Sequence, residues 1–260
     1  MNIVVCIKQV PDTNLQIRLN KEGSDIDRDN LSFVMSPYDE FAVEEALRIK
    51  EKFPDSVTTV VTLGPESADE IIRQALAMGI DEAIHVLDSD SKIREGLIPA
   101  EALSKVIGPL KPDIILCGRQ AVDDDAFQVG GALAQLLGLP EICVASKITI
   151  LPHAGELATI ERILEGGIKQ TIETALPCVI TCQKGINEPR YPSLPGIMKA
   201  KKKLVKQVKI EELKITMQSR FQVEKLEIPQ SERKVRLIEM DAQSSAQELV
   251  RLLREDAKVI

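Results

Sequence analysis

The segment Pro112-Asp113-Ile114-Ile115-Leu116-Cys117-Gly118-Arg119-Gln120-Ala121-Val122-Asp123-Asp124-Asp125-Ala126-Phe127-Gln128-Val129-Gly130-Gly131-Ala132-Leu133-Ala134-Gln135-Leu136-Leu137-Gly138-Leu139-Pro140 decides the fold. Ile114 to Cys117 form a short, continuous apolar run, the pattern of a strand buried on both faces. Gly118 breaks the run and a polar stretch follows. Val129, Leu133, Leu136 and Leu137 then fall at helical spacing, which predicts a helix closed by Gly138 and Pro140. A strand, a polar loop and a helix start of small residues form the usual seat of a nucleotide phosphate in an open α/β sheet. Gly130 and Gly131 leave the first turn without side chains, so a ligand is expected close to the backbone there.

The loop has neither the Gly-Lys-Ser/Thr ending of a P-loop nor a G-x-G-x-x-G fingerprint. Asp123, Asp124 and Asp125 would repel a phosphate. The expected anion partners are therefore Arg119, Gln128 and the amides of the helix start, while the aspartates suit helix capping or ribose hydroxyls. An ordinary strand-to-helix loop whose aspartates cap the helix accounts for the spacing equally well.

The rest of the chain bounds the function. With 260 residues it can bury a sizeable core. A net charge of −7 argues against general nucleic-acid binding. Trp is absent, which disfavours base-stacking platforms. No apolar run approaches the ~20 residues of a membrane span. Met1 leads straight into a strand without a basic segment or cleavage site, so a cytoplasmic location is expected. Cys6, Cys117, Cys143, Cys178 and Cys182 lie in or beside apolar runs. No C-x-x-C occurs, and only His85 and His153 could add nitrogen ligands, so buried reduced thiols are expected rather than a metal or iron–sulfur site. Neither histidine lies in a recognisable catalytic motif, and no catalytic residue is assigned.

Taken in order, residues 2–7 read as a strand and Lys8-Gln9-Val10-Pro11-Asp12 as the turn after it, facing the ligand edge of a sheet. Ser36 is placed to cap a helix that has Pro37 in its first turn. Glu44 and Glu45 face Arg48 and Lys52 as a solvated pairing. Residues 56–63 and 82–87 read as strands, and 67–78 and 99–108 as helices. Strand and helix alternate four times, predicting a parallel, doubly wound α/β sheet. Residues 144–151, 157–164, 169–174 and 178–182 read as strands extending it in antiparallel fashion. The expected division is a nucleotide-binding domain over 1–183, a Pro-rich loop over 184–203, and a 204–260 arm. The arm has little core of its own apart from a helix at 246–253, so it needs a partner surface or is disordered.

Five segments, in order, resemble the β subunit of electron transfer flavoproteins over essentially the whole length. They are Cys6-Ile7-Lys8-Gln9-Val10-Pro11-Asp12; residues 36–50 with the core Ala42-Val43-Glu44-Glu45-Ala46-Leu47-Arg48; Gly118 to Asp125; Glu161-Arg162-Ile163-Leu164-Glu165-Gly166-Gly167; and Asn187-Glu188-Pro189-Arg190-Tyr191 through Lys203. The resemblance implies an adenine nucleotide α-hydrolase-like domain in a heterodimer with an FAD-carrying α subunit, which the C-terminal arm wraps. It implies nucleotide contacts from Cys6, Ser36, Pro37, Tyr38, Asp39, Leu63 and every residue from Gly118 to Val129. It also implies a recognition loop with Tyr191, Leu194, Pro195, Ile197, Met198 and Lys199, Leu194 entering a pocket on a dehydrogenase.

Two departures bear on the ligand. Family members that hold AMP in β have Thr where this chain has Val129. Bifurcating members, with FAD in β, read Asp-Gly-Asp-Thr where it has Asp123-Asp124-Asp125-Ala126. The family's Asn before the Pro-Tyr pair is Ser36 here. The expectation is FAD in the β site, a second FAD in the α subunit, and NADH as donor. Electrons would then divide between a low-potential acceptor such as ferredoxin and an acyl-CoA or hydroxyacid dehydrogenase. The alternatives are a one-flavin carrier with AMP in β and a non-redox nucleotide-binding regulatory protein on the same scaffold.

Overall fold

Alternating apolar strands set the architecture. The computed structural model describes residues 1–28, 31–89, 95–151, 157–221, 223–229 and 235–260. The first strand, β1 (Asn2–Cys6), is followed by a short antiparallel pair, β2 (Gln9–Pro11) and β3 (Phe33–Met35). Residues 8–12, expected as a turn, thus contain a strand, because Phe33-Val34-Met35 supplies it with a partner. Helix α1 (Pro37–Lys52), β4 (Val57–Gly64), α2 (Asp69–Met78), β5 (Glu82–Leu87), α3 (Leu97–Ile107), β6 (Ile114–Gly118) and α4 (Val129–Leu137) complete the alternation. They are followed by β7 (Glu141–Ile150), β8 (Leu157–Ile163), β9 (Lys169–Ala175), β10 (Cys178–Cys182), α5 (Leu194–Ala200), β11 (Lys206–Lys209) and α6 (Ala242–Arg251).

The main sheet runs β11-β5-β4-β1-β6-β10-β7-β8-β9. All neighbours are parallel except at β8 and β9, which pair antiparallel. The doubly wound sheet is therefore as expected, but the antiparallel extension is smaller: β7 and β10 join the parallel part. Along β1 and β6 successive residues face opposite sides. Ile3, Val5, Ile114 and Leu116 pack with α1 and α2, whereas Val4, Cys6, Ile115 and Cys117 pack with α3 and α4. Burying each such aliphatic side chain contributes about 1.5–3 kcal/mol, so the central strands carry much of the stability. In α4, Leu133 is buried and Leu136 exposed, so its inner face is narrower than its spacing suggests.

Met1–Leu226 forms one compact unit and Glu227–Ile260 a second. The first takes in the 184–203 segment and β11, which pairs in parallel with β5 and adds Ile210 to the core. The apolar and charged alternation after residue 204 is thus partly an edge strand. Beyond it Glu101, buried on α3, accepts the Thr216 N–H and Oγ1–H and the Met217 N–H at 2.8–3.0 Å. Burial works against the charge, yet Lys105 and these donors pull its carboxyl down to about 2. In the second unit, α6 is capped by Asp241, which accepts the N–H groups of Gln243 and Ser244, and the helix starts four residues earlier than its periodicity indicated. No helix among the described residues is long and apolar enough to cross a membrane.

Glu101→Ala leaves the part-buried amides of Thr216 and Met217 without their acceptor, at a cost of about 0.5–1.5 kcal/mol per hydrogen bond lost. Limited proteolysis should then cut within residues 211–221 while the parent resists; equal resistance would show that Glu101 does not hold this segment.

Candidate functional site

The connections after β1 and β6 leave on opposite faces of the sheet, so a crevice opens between the carboxyl ends of these neighbouring strands. This is the topological switch point where open α/β sheets bind ligands. Asp39, in the first turn of α1, sits in it. Its carboxylate accepts the Lys8 N–H at 2.7 Å and the Gly118 N–H at 3.0 Å, tying the two strand ends together. A Cβ on Gly118 would lie 2.3 Å from Asp39 Oδ1 and 2.8 Å from Tyr38 Cβ, so only glycine lets α1 come so near. Burial pushes the Asp39 carboxyl up to about 7, against the opposing pull of the two amides and the Lys8 charge.

The residues expected at the nucleotide converge here from several elements. Ser36, Pro37 and Tyr38 lead into α1, and Ser36 N–H donates to the Lys8 carbonyl at 2.9 Å. Ser36 does not cap through its side chain: its buried Oγ has no partner among the described residues. Cys6, Leu63, Cys117 and Val129 belong to one apolar cluster on the α3–α4 side. Cys6 and Cys117 are register partners. The hydrogen bond between the Cys117 thiol and Cys6, together with burial, keeps the Cys117 thiol well above its ordinary value, so it is no nucleophile.

The loop from Arg119 to Gln128 is held differently from the expectation. Lys8 Nζ reaches Asp123 at 2.8 Å and Asp124 at 3.0 Å, and Asp125 accepts from Gln120. The aspartates therefore do not cap α4, which begins at Val129 after Gln128. Asp124 instead accepts the Ala126 N–H, and Asp125 and Phe127 take positive φ of 48° and 54° to turn the chain. Gln128 packs on Gly96, where a Cβ would lie 2.8 Å from its Oε1. Arg119 lies over the Phe127 ring at 5.5 Å and donates to Gln183 at 3.3 Å, while its buried Nε has no partner among the described residues. Gly130 and Gly131 do not present a bare face to a ligand. A Cβ on Gly130 would meet Thr181 Cγ2 at 2.6 Å, and one on Gly131 would meet Glu141 Oε2 at 3.1 Å, so these glycines let α4 pack on β10 and β7.

The segment expected to meet a dehydrogenase lies apart. Tyr191 is 94% and Leu194 79% exposed, and Pro195, Ile197, Met198 and Lys199 are exposed beside them. Ser193 caps α5 by accepting the Gly196 N–H at 3.1 Å. Upstream, Asn187 donates to the Phe41 carbonyl and Glu45, and Arg190 forms a fork on Glu44 at 2.8–2.9 Å. Glu44 and Glu45 are thus buried anchors rather than a solvated pair, although Arg48 also reaches Glu44 at 3.2 Å.

The Electron transfer flavoprotein domain model matches residues 25–213. The chain is 38% identical over 264 residues to the mitochondrial electron transfer flavoprotein subunit beta of Oryza sativa, covering 100% of both. It is 37% identical to the electron transfer flavoprotein subunit beta of Bacillus subtilis, again covering 100% of both. It is 42% identical over 210 residues to that of Thermoanaerobacterium thermosaccharolyticum, covering 81% of this chain and 78% of the relative. The chain belongs to the electron transfer flavoprotein family, as a β subunit.

For this family member, the residue that sequence reasoning passed over is Lys8. A cation soon after β1, with an acidic triplet after β6, was the available signal. It is a second cation at the crevice in addition to Arg119, and it is paired with Asp123 and Asp124. Cys143, also free, accepts from Arg162 at 3.2 Å. His85 is buried, with Nε2 3.0 Å from the Gly64 carbonyl, and His153 lies outside the described residues. Among the described residues no group of three or more His, Cys, Asp or Glu could hold a metal.

A native carboxyl near 7 against an unfolded value near 4 binds its proton more tightly in the folded state. Its stabilising contribution is complete below about pH 4 and is lost as pH rises through about 7. Asp39→Asn should therefore remove about 2 kcal/mol of the stability change between pH 5 and pH 8, measured by urea denaturation. An unaltered pH profile would mean that Asp39 does not titrate in this range.

Proposed function

We propose that this β subunit pairs with an FAD-bearing α subunit, holds a second FAD at the β1–β6 switch point, and works in flavin-based electron bifurcation. In that reading NADH is the donor, and the acceptors are a low-potential carrier such as ferredoxin and an acyl-CoA or hydroxyacid dehydrogenase. The observation that carries it is Val129. A side chain packed in the Cys6 and Cys117 cluster stands where a hydroxyl would hold a monophosphate, and losing that charge-assisted hydrogen bond costs a monophosphate about 1.5–3 kcal/mol.

The residues fit a nucleotide with a longer phosphate chain. The buried, unpartnered Arg119 Nε supplies a fixed cation with a donor to spare, and Lys8 adds a second charge at the opposite lip. A flavin bound here would supply a two-electron acceptor that can release its electrons singly. The chain's own work is to seat it: Asp39 fixes the Lys8 and Gly118 backbones, and the apolar cluster excludes water on the α3–α4 side. The turning of Gly130 and Gly131 towards Thr181 and Glu141 favours the second reading, AMP in β, because it denies a pyrophosphate the bare helix start. The Glu227–Ile260 unit suits an arm on the α subunit. Its helix α6 has no buried residue and exposes Leu249 and Val250, faces that a partner would cover.

The purified αβ complex should release two FAD per heterodimer on denaturation, and NADH should bleach its flavin absorbance without any dehydrogenase. Val129→Thr should shift the site towards AMP. One FAD and one AMP per heterodimer would instead establish the simple carrier and end the bifurcation reading. Leu194→Ala should weaken coupling to an acyl-CoA dehydrogenase about thirtyfold, equivalent to about 2 kcal/mol, with flavin content intact. Equal coupling would remove Leu194 from the docking role.

A further inference from the structure

The exposed residues of α5 stand on a helix of only 7 residues, too short to hold its shape alone. Something must fix it, and the fixing contacts come from α2. Arg73 Nη1 donates to the Ala200 carbonyl at 2.8 Å, at the end of α5, and to the Lys203 carbonyl at 2.7 Å in the turn after it; the Lys203 N–H closes that turn on the same Ala200 carbonyl at 3.2 Å. Its Nε donates to Asp69 at 3.1 Å, which orients the guanidinium. Lys203 Nζ donates to the Ile80 carbonyl at 2.6 Å. Ala200 is buried, and Gly196 lies so close to α2 that a Cβ there would be 2.3 Å from the Ala77 carbonyl oxygen. The upstream end is held separately by Arg190 and Asn187 on α1.

We propose, resting on the docking role assigned above to Leu194, that Arg73 is a positioning residue for the partner dehydrogenase. By gripping two carbonyls at the far end of α5 it holds Leu194 and Met198 in their docking arrangement before the partner arrives. Ordering a loop during association costs affinity, so a segment ordered in advance binds more tightly without a new contact. Arginine suits this task because its planar fork serves Asp69 and both carbonyls at once, whereas a lysine ammonium has no fixed orientation. Arg73 itself touches neither the nucleotide site nor the exposed face of α5.

The test uses the αβ heterodimer, with a purified short-chain acyl-CoA dehydrogenase reduced by butyryl-CoA as the probe. In Arg73→Ala, amide hydrogen exchange across residues 194–203 should rise at least tenfold, while nucleotide content holds. KM for the heterodimer should rise about tenfold with kcat little changed. Arg73→Lys should fall between parent and Ala. Gly196→Ala, which pushes the same segment off α2 from the other side, should reproduce both effects. Unchanged exchange in Arg73→Ala overturns the proposal. So does raised exchange with unchanged KM, provided Leu194→Ala raises KM in the same assay. If Leu194→Ala has no effect either, the docking role itself fails, and this proposal with it.

Discussion

One buried carboxylate holds the functional end of the sheet together. Neighbouring parallel strands whose connections depart to opposite faces leave a gap with unpaired amides at its floor. Asp39 fills that gap from α1, and the two N–H groups it accepts are those of Lys8 and Gly118. The price is a charge taken out of water, which raises its proton affinity. Two sequence features follow from this contact, a glycine at 118 and a proline-led helix start that brings residue 39 into the crevice; the Lys8 side chain separately meets the loop aspartates.

Helix α1 extends the influence of that contact. Its first turn enters the crevice, and within two further turns the Phe41 carbonyl, Glu44 and Glu45 hold Asn187 and Arg190 just before the exposed Tyr191–Lys199 stretch. One rigid element thus carries both the lip of the crevice and an anchor of that exposed stretch. Because i and i+4 share a helix face, the acids that looked like a surface pairing with Arg48 and Lys52 are turned instead to a segment 142–146 residues away.

The parallel sheet was legible because strands buried on both faces write themselves as unbroken apolar runs, as Ile114 to Cys117 does. Residues expected at the nucleotide do converge at the β1–β6 crevice, but several are held in ways other than those read for them. Ser36 has the chemistry of a cap, yet its hydroxyl is turned inward without a partner. Asp123 and Asp124 resemble helix caps, yet Lys8, more than a hundred residues earlier, claims them. Gly130 and Gly131 looked like ligand clearance, and the space serves Thr181 and Glu141. For the aspartates and the glycines a neighbour outside the loop took the place of the local option, and a single sequence does not show which neighbour it will be. β11 escaped for the same reason: four residues reading Lys-Gln-Val-Lys become a strand only because the β5 edge is free to receive them.

That edge strand has a kinetic consequence. The chain leaves the middle of the sheet at β10, passes over α1 and α2, and re-enters at the far edge as β11, opposite Ile84 to Leu87. Contacts so distant in sequence close late, because the loop between them must be ordered before the pairing rewards it. The strap carrying Tyr191 and Leu194 is therefore among the last parts to be drawn tight. A chain whose sheet is incomplete presents no finished strap, so a partner that reads this strap, as proposed, would engage only molecules that have completed their fold.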